Sequence, residues 1–503
     1  MNASVVEWLE KTSNDMPDSL ALVDQGNSIT WKEYHDKAVG IAEVILRITE
    51  GQRKPVLVYL EKSVRVPISF MGVAYSGCYY SVLDVDMPLE RAKRIIETFA
   101  PSVIITSSDL IDKMASFEYD GSVVDFDSIE SIPYSKSVVI AYQKTIDTDL
   151  LYVLFTSGST GIPKGVCITH RGVIDYTDFI TSEFKVDRYD RFGNQAPFYF
   201  DNSILDIYCT MKSGACLFII PRSLFIQPVK LLEYLRDNKI NTIFWVPSAL
   251  IVVSSIKALS KIDLSGSIKR VLFCGEVMPN KQLNIWRKAL PNTLFANLYG
   301  PTEITDACTF FIVDRDFNDD ESLPIGFPMR NTEILVMDEN NKLINQPFVP
   351  GELCVRGTGV SCGYYNNPGK TAEAFVQNPF NTAYEEKIYK TGDLVQYNER
   401  GELLYLSRKD FQIKHMGHRI ELGEIETAVS AIEGISQCCC LYDTHNSRIV
   451  LFIDKDLTKE AVLSIIKEKV PHYMLPGKVI YMEKLPQNLN GKIDRVLLKE
   501  YLK

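Results

Sequence analysis

A chain of 503 residues exceeds the size at which one hydrophobic core stops growing, so we expect a large domain with at least one further unit. With 46% hydrophobic and 23% charged residues, the composition is typical of a folded globular protein and excludes a disordered or fibrous one. The formal net charge of −10, without a block of Lys or Arg, argues against binding to nucleic acid or to an anionic membrane surface.

The cysteines and the N-terminal segment bear on the cellular compartment. Eleven scattered cysteines without a CxxC pair are typical of buried free thiols in a reducing cytosol, and the run Cys438 to Cys440 is too tightly spaced for a zinc site. The N-terminus lacks the basic and apolar segments of a secretory signal, and no apolar run approaches the roughly 20 residues that span a bilayer. We therefore expect a cytoplasmic protein.

The first 325 residues or so alternate between short apolar runs and amphipathic stretches of helical period. The apolar runs are rich in branched residues and include Val56–Tyr59, Ser102–Ile105, Leu217–Ile220 and Val271–Phe273. This alternation predicts strands joined by crossover helices, and therefore an α/β fold class.

The remainder of the chain has a different pattern. After about residue 325, apolar segments are separated by turns at Asp338–Lys342 and Asn398–Gly401, which predicts a β-rich subdomain. From about residue 411, helical stretches near Leu422–Ile432 and Lys459–Lys469 and a strand near Ile449–Ile453 predict a small α+β unit.

A loop rich in Gly, Ser and Thr follows a predicted strand and ends at Lys164. Glycines let backbone N–H groups approach an anion, hydroxyls add donors and lysine adds charge, so the loop suits a nucleoside triphosphate. Counted from Gly158, the second glycine of the motif GxxxxGK[ST] falls on Pro163, and Gly165 follows Lys164. The loop is therefore not that of a kinase or GTPase.

This loop and several other motifs, in the same order along nearly the whole chain, resemble the adenylate-forming superfamily. That superfamily comprises acyl-CoA synthetases, luciferases and the adenylation domains of nonribosomal peptide synthetases. The motifs are Ile29–Glu33, Leu83–Arg91, Leu154–Gly165, Asn297–Glu303, Gly351–Leu353, Tyr389–Asp393, Ser407–Asp410, Met416–Leu422 and Asn490–Arg495.

The resemblance implies a domain organisation. A large N-terminal body of two α/β subdomains and a β-rich subdomain would span residues 1–409, and a small mobile α+β C-terminal domain would span residues 410–503. The hinge would be Asp410, about which the small domain rotates between adenylation and thiol transfer. After rotation, the segment around Lys414 and Gly417 would border the channel for the incoming thiol.

The resemblance also implies an ATP site with Mg²⁺. Tyr299 would stack on adenine, Gly275 would leave room for the other face of the base, and Asp393 would accept hydrogen bonds from both ribose hydroxyls. Thr302 would contact the α-phosphate, and Glu303 with Thr156 would place Mg²⁺. The implied ATP-binding residues are Thr156, Ser157, Gly158, Ser159, Thr160, Lys164, Gly275, Asn297, Tyr299, Gly300, Asp393, Tyr405 and Arg408.

Lys492 is the implied catalytic lysine, together with Thr302 and Glu303. The reaction joins an anionic carboxylate to an anionic α-phosphate. A fixed cation that bridges both groups, and binds more strongly as charge develops in the transition state, would lower the barrier.

The segment Phe200–Ser203 resembles the one with which amino-acid-activating members bind their substrate, with Asp201 pairing to the α-ammonium. A buried carboxylate is costly unless it meets a cation, so Asp201 favours an amino acid over other acids. The implied substrate-binding residues are Phe200, Asp201, Asn202, Leu205, Phe244, Leu272, Cys274, Leu298, Asp306 and Ala307.

The size and polarity of the substrate follow from the same pocket. Bulky Phe244 and Leu298 indicate a short side chain, and the run Leu272–Pro279 resembles the D-alanine:D-alanyl carrier protein ligases, in which a cysteine at the position of Cys274 favours the D form. D-alanine is therefore a leading candidate. If Asp306 faces the pocket, a small amino acid with a hydroxyl or amine is expected, and if it faces away, alanine or glycine.

The acceptor is implied to be the phosphopantetheine thiol of an acyl carrier protein. The chain ends at Lys503 without a carrier module, so we expect a ligase that loads a separate carrier protein. An acyl- or aryl-CoA ligase shares every nucleotide motif and remains the alternative. Neither nucleic acid nor a membrane is expected as a partner.

Overall fold

The structure is a computed structural model, and it describes residues 3–158, 163–487 and 493–502. The chain divides into two compact units: the first comprises Met1–Val85, Phe99–Leu154 and Gly165–Lys409, and the second comprises Asp86–Thr98, Phe155–Lys164 and Asp410–Lys503. The division into domains 1–409 and 410–503 stays a prediction. Over the described ranges, no helix is long and apolar enough to cross a membrane.

The α-helices and β-strands are numbered in chain order. The strands are β1 (Leu20–Val23), β2 (Ser28–Thr30), β3 (Pro55–Val58), β4 (Tyr79–Val82), β5 (Val103–Thr106), β6 (Ser122–Asp125), β7 (Leu150–Thr156), β8 (Lys164–Thr169), β9 (Arg191–Asn194), β10 (Cys216–Ile219), β11 (Thr242–Trp245), β12 (Arg270–Phe273), β13 (Leu294–Tyr299), β14 (Thr309–Ile312), β15 (Phe327–Pro328), β16 (Thr332–Met337), β17 (Gly351–Gly357), β18 (Phe375–Gln377), β19 (Lys387–Tyr397), β20 (Leu403–Arg408), β21 (Gln412–His415), β22 (His418–Glu421), β23 (Cys438–Asp443), β24 (Arg448–Ile453) and β25 (Lys478–Tyr481). The helices are α1 (Val6–Asp15), α2 (Trp31–Thr49), α3 (Arg65–Tyr75), α4 (Leu89–Phe99), α5 (Ile111–Met114), α6 (Lys136–Tyr142), α7 (His170–Glu183), α8 (Asn202–Ser213), α9 (Pro228–Asp237), α10 (Pro247–Ser255), α11 (Asn280–Ala289), α12 (Pro368–Ala374), α13 (Leu422–Ser430), α14 (Lys459–Ile466) and α15 (Arg495–Lys499).

Two of the sheets are built mainly of parallel strands. One has the order β6-β5-β3-β4-β7-β8, and the other has nine strands in the order β15-β14-β13-β12-β11-β9-β10-β1-β2. In the nine-stranded sheet the six strands from β13 to β1 are parallel to one another, whereas the pairings of β15 with β14, of β14 with β13 and of β2 with β1 are antiparallel. Parallel strands end at the same edge of a sheet, so the loops that follow β9, β11, β12 and β13 meet there.

The other sheets are smaller. The first unit has an antiparallel sheet of β16, β17, β19, β18 and β20, whereas the second unit has the hairpin β21-β22 and the sheet β23-β24-β25. These sheets confirm the α/β fold class with a β-rich part and a small C-terminal α+β part. The predicted strands and helices are also confirmed, with ends that shift by one or a few residues.

The nine-stranded sheet separates two hydrophobic cores, because successive strand residues point to opposite faces. One core contains one alternating set of residues from β11 to β13, and the second core contains the other set. The first set is Phe244, Leu272, Ala296 and Leu298; the second is Ile243, Trp245, Val271, Phe273 and Phe295. All eleven cysteines are free thiols and nine are buried, as the sequence predicts.

Candidate active site

Three side chains of the first unit form a hydrogen-bonded group around Asp393. Asp393 on β19 lies directly opposite Arg408 on β20, whose Nη1 donates to Asp393 Oδ1 at 2.8 Å. The hydroxyl of Tyr299, the last residue of β13, donates to Asp393 Oδ2. Burial, and then the negative charge of Asp393, raise the pKa of Tyr299 well above its usual value. Tyr299 is therefore a neutral donor, and two donors fix the carboxylate.

The loop after β13 approaches itself so closely that only glycine fits at Gly300. A Cβ at Gly300 would lie 2.5 Å from the carbonyl oxygen of Asp306 and 2.6 Å from the Cα of Ala307. Thr305 and Asp306 both have left-handed backbones, with φ of 62° and 71°. These conformations fold the loop back, so that Asp306 returns to the end of β13.

Glu303 lies inside this loop, in a single 3₁₀ turn from Thr302 to Ile304. It is fully buried, and its Oε1 accepts a hydrogen bond from the hydroxyl of Tyr364 at 2.7 Å. Its carbonyl oxygen accepts the backbone N–H of Ser361 at 2.8 Å. A buried carboxylate is stable only beside donors or a cation, so Glu303 is suited to hold a hard cation.

The remaining nucleotide residues of the first unit occupy neighbouring positions. Asn297 on β13 is buried, and its Nδ2 donates to the carbonyl oxygen of Pro324 at 2.8 Å. The ring centroids of Tyr299 and Tyr405 are 6.3 Å apart. Gly275 has a φ of 100°, which is favourable only for glycine.

The predicted substrate residues lie mostly on one face of the nine-stranded sheet. Phe244 on β11 is opposite Leu272 on β12, and Leu272 is opposite Ala296 on β13. Cys274 and Leu298 follow two residues further along and therefore face the same side. The buried apolar members are Leu205, Phe244, Leu272, Cys274, Leu298 and Ala307.

Asp201 lies at the amino end of α8. Its Oδ1 accepts the backbone N–H of Asn202 at 3.0 Å. The carbonyl oxygen of Phe200 accepts both the N–H of Ser203, at 3.1 Å, and its hydroxyl, at 2.7 Å. The amino end of a helix stabilises negative charge, so the position of Asp201 favours its ionised form.

Asp306 is buried, and its carboxylate accepts a hydrogen bond from a third tyrosine. The hydroxyl of Tyr176 on α7 donates to Asp306 Oδ2 at 2.6 Å. Burial raises the pKa of Tyr176, and the charge of Asp306 and the nearby thiol of Cys274 raise it further. Burial likewise raises the pKa of Tyr152, and the charges of Asp201 and Asp306 add to that effect. Both carboxylates therefore lie near the Tyr152 hydroxyl, which has no hydrogen-bond partner within the described ranges.

In the second unit, the start of the predicted phosphate loop is hydrogen-bonded to the hairpin of β21 and β22. The Ser157 hydroxyl donates to the carbonyl oxygen of Arg419 at 2.8 Å and accepts the N–H of Glu421 at 3.2 Å. Lys164 Nζ lies 3.9 Å from Glu421 Oε1. The Thr156 hydroxyl donates to the carbonyl oxygen of Lys164 at 3.5 Å. Both ends of the loop are thus anchored near one hairpin.

That hairpin contains the predicted thiol-channel residues. Met416 and Gly417 form its two-residue turn, with φ of 53° and 79°, and positive φ at both positions is typical of a type I′ turn. Lys414 lies on β21 opposite Arg419. The predicted hinge residue Asp410 accepts the N–H of Gln412 at 3.1 Å.

Three predicted residues, Ser159, Thr160 and Lys492, lie outside the described residues. Their roles stay predictions. Gly158, the last described residue before the gap, is buried.

The sequence does not indicate the three tyrosines of the site, namely Tyr152, Tyr176 and Tyr364. Tyr152 and Tyr176 lie in apolar patterns that predict packing, and Tyr364 lies in a segment with Gly, Asn and Pro that predicts a turn. The hydrogen-bond partners are also remote in sequence: Asp306 lies 130 residues from Tyr176, and Glu303 lies 61 residues from Tyr364. The one available signal is that a buried tyrosine hydroxyl usually finds a partner.

Two family matches cover most of the chain. Residues 9–365 match the AMP-binding enzyme family, and residues 424–492 match the AMP-binding enzyme C-terminal domain. The D-alanine–D-alanyl carrier protein ligase of Bacillus licheniformis is 32% identical over 512 residues, covering 99% of this chain and 99% of the ligase. The chain therefore belongs to the AMP-binding enzyme family, whose members are adenylate-forming ligases.

Other relatives are longer than this chain. Tyrocidine synthase 1 of Brevibacillus parabrevis is 30% identical over 502 residues, which are 99% of this chain and 45% of the synthase. The chain spans less than half the length of several curated synthases that it matches. A solved structure of the Vibrio cholerae adenylation domain AlmE, in complex with glycyl-adenosine-5′-phosphate, has a TM-score of 0.84 at 21% identity over 100% of this chain and 98% of that one. At this identity the likeness shows the fold.

Proposed function

We propose that this protein uses ATP to activate a small amino acid as its acyl adenylate and then transfers the aminoacyl group to the phosphopantetheine thiol of a carrier protein. A carboxylate oxygen of the amino acid attacks the α-phosphorus, and pyrophosphate leaves. The thiol sulfur then attacks the acyl carbon, AMP leaves, and the thiol proton passes to solvent.

The observation that supports an amino acid is the pair of carboxylates near Tyr152, of which Asp306 is buried and Asp201 is partly buried. Asp201 and Asp306 both act electrostatically on this phenol, and its hydroxyl lacks a hydrogen-bond partner among the described residues. A substrate with an α-ammonium compensates a buried negative charge, whereas a fatty or aromatic acid leaves it uncompensated. The relative from Bacillus licheniformis is named as a ligase of D-alanine and a carrier protein, which supports both substrates.

The donors around Asp393 support binding of the ATP ribose. The Tyr299 hydroxyl and Arg408 hold the carboxylate in one orientation, so its remaining lone pairs are fixed acceptors for hydroxyl groups. Glu303 supplies a buried carboxylate for Mg²⁺. Within the described ranges no cluster of three or more His, Cys, Asp or Glu could hold a metal ion by itself. Mg²⁺ binds through one or two carboxylates plus phosphate oxygens, so this donor set fits Mg²⁺ carried by ATP, where the ion would neutralise phosphate charge.

The kind of substrate side chain that the pocket accepts depends on Asp306. D-alanine is a leading candidate because of Cys274 and the bulky Phe244 and Leu298. Asp306 is buried and bound by Tyr176, whose phenol is also close to the Cys274 thiol, which supports an orientation toward the pocket. A carboxylate accepts several hydrogen bonds, so small amino acids with a hydroxyl or amine, such as serine or a small diamino acid, join alanine and glycine as candidates.

The deciding experiment is amino-acid-dependent ATP–pyrophosphate exchange. The panel contains both enantiomers of alanine and serine, glycine, and small diamino and β-amino acids. We expect exchange with at least one of them. No exchange with any amino acid, together with AMP release dependent on CoA and another acid, would establish the acyl- or aryl-CoA ligase instead.

Asp201→Asn tests the ammonium contact on the amino acid so identified. Loss of a hydrogen bond between charged groups should raise the KM for the amino acid by about ten- to a hundredfold. Asp178→Asn is the matched control, since Asp178 also pairs with a cation, Lys212 Nζ at 2.5 Å, but is 41% exposed. An Asp201→Asn variant as active as the control would refute the contact.

A further inference from the structure

Lys62 follows β3, in the six-stranded sheet, and reaches the end of a strand in the other large sheet. Its Nζ donates to the carbonyl oxygen of Gln195 at 2.9 Å and lies 3.5 Å from that of Asn194. Asn194 is the last residue of β9. The lysine therefore binds the backbone where the chain leaves the nine-stranded sheet.

The chain that leaves β9 runs from Gln195 to Asp201. Lys62 Nζ also lies over the ring of Phe198, 5.9 Å from its centroid, and Phe198 is buried. Further along the same segment, the N–H of Phe200 donates to the carbonyl oxygen of Pro197 at 3.1 Å. One ammonium group thus contacts both the start and the middle of the segment that carries Asp201.

The side chains of Asn194 and Gln195 also hold the start of the segment. Asn194 Nδ2 donates to Asp206 Oδ2 at 2.8 Å, and Asp206 lies on α8, the helix that Asp201 precedes. Gln195 Oε1 accepts the N–H of Val246 at 3.4 Å. Neither contact bonds the carbonyl oxygen of Gln195 and neither reaches Phe198, so Lys62 has a role that they do not duplicate.

The surroundings of Lys62 include groups that disfavour a charged ammonium and groups that stabilise it. Burial, and then the charge of Arg222, lower the pKa of Lys62, whereas the carboxyl of Asp206 acts in the opposite direction, and the net result is a pKa of about 7. Carbonyl oxygens and the face of an aromatic ring are the groups that stabilise a partly desolvated ammonium.

We propose that Lys62 is a positioning residue for substrate recognition, which fixes the Gln195–Asp201 segment and thereby aligns the Asp201 carboxylate with the α-ammonium of the amino acid. This inference rests on the proposed function. Lys62 itself contacts backbone and a ring, and it acts on the substrate through Asp201.

The test compares Lys62→Met, which removes the donor and keeps the aliphatic stem, with Lys62→Arg, which keeps a cationic donor. In pyrophosphate exchange with the amino acid that the wild type accepts, we expect Lys62→Met to raise the KM for the amino acid about tenfold, the effect of one charge-assisted hydrogen bond. The KM for ATP should stay within about twofold, and Lys62→Arg should restore most of the amino-acid affinity.

The chain contains a matched control in Lys37. Its Nζ also donates to a backbone carbonyl oxygen, that of Ile129, and lies 5.1 Å from the ring centroid of Phe126, on a different segment. Lys37→Met should alter thermal stability without altering the KM for the amino acid. If Lys62→Met does not fold, Lys62→Gln, which keeps a shorter neutral donor, should show the same selective rise.

The outcomes separate the two proposals. A wild-type protein that exchanges with an amino acid, with Lys62→Met unchanged in its amino-acid KM or raised equally in both KM values, overturns the role of Lys62 alone. A wild-type protein that exchanges with no amino acid overturns the proposed function, and the role of Lys62 falls with it.

Discussion

Asp393→Asn tests the ribose contact, and its effect can be worked out from the hydrogen bonds around the carboxylate. Asp393 accepts from Tyr299 on one oxygen and from Arg408 on the other. In the variant, the amide oxygen still accepts from Arg408, while Nδ2 faces Tyr299, whose hydroxyl turns to accept. The fold should therefore be retained, whereas Asp393→Ala would remove the carboxylate that pairs with Arg408, only 9% of whose side chain is exposed.

The Asp393→Asn variant should lose affinity for ATP because of one particular hydrogen bond to the ribose. The amide nitrogen is a donor, so it cannot accept the second ribose hydroxyl, and one hydrogen bond to a charged acceptor is lost. Such a bond contributes about 1.5–3 kcal/mol, so the KM for ATP should rise about 10- to 150-fold.

The assay is pyrophosphate exchange at saturating amino acid with ATP varied, supported by thermal melting of the variant. The KM for the amino acid should change little. A KM for ATP within twofold of the wild type, in a variant that melts normally, would refute the assignment of Asp393 to the ribose.

Asp190 is buried and accepts a hydrogen bond from Arg270 Nη1 at 2.9 Å. Because Asp190→Ala leaves a buried guanidinium without its carboxylate, it should reduce the free energy of unfolding, measured by urea titration, by about 3–5 kcal/mol. A loss below about 1 kcal/mol would contradict this expectation. Burial lowers the pKa of His35, but hydrogen bonds to Glu10 and Asp36 outweigh it and raise the pKa above 6.5. Because the pKa of His35 is higher in the folded than in the unfolded state, its protonation stabilises the fold. This stabilisation is fully present below pH 6.5 and is lost as pH rises through the folded-state pKa. The difference in melting temperature between wild type and His35→Gln should therefore shrink from pH 6 to pH 8.5, and a constant difference would disprove the linkage. Removal of Mg²⁺ with EDTA should abolish pyrophosphate exchange, and excess Mg²⁺ should restore it; exchange that persists in EDTA would exclude the ion.

The fold is predictable from the sequence where the signal is local. Val271–Phe273 is a continuous run of buried residues, and the structure has a strand there from Arg270 to Phe273. The order of strands is not local: β9 lies between β11 and β10, and nothing in the run Arg191–Asn194 encodes its neighbours. Pairing between distant strands depends on how helices cover both faces of the sheet, which the resemblance supplies and the pattern does not.

Some residues of the candidate site are likewise predictable from the sequence, and others are not. Asp393 and Arg408 belong to recognisable motifs, and their pairing across β19 and β20 follows from adjacent strands. Tyr176 belongs to the apolar pattern of α7, and only the three-dimensional structure brings its hydroxyl to Asp306. The role of Lys62 is also not predictable from the sequence, because a single lysine after a strand is typical of an exposed turn.

Three carboxylates of the site, those of Asp393, Asp201 and Asp306, are stabilised in different ways, and this difference bears on specificity. Asp393 is held by two side-chain donors and is therefore a rigid acceptor for neutral hydroxyl groups. The Asp201 carboxylate accepts the backbone N–H of Asn202 and lies at the amino end of α8. A helix end stabilises a negative charge by only about 0.3–1 kcal/mol. An ammonium group in contact with a partly buried carboxylate contributes more than a helix end does, because the low dielectric strengthens the attraction. A substrate ammonium would therefore add to the stabilisation of the Asp201 carboxylate, which is why we expect an amino acid. We expect the Tyr176–Asp306 pair to distinguish among small side chains.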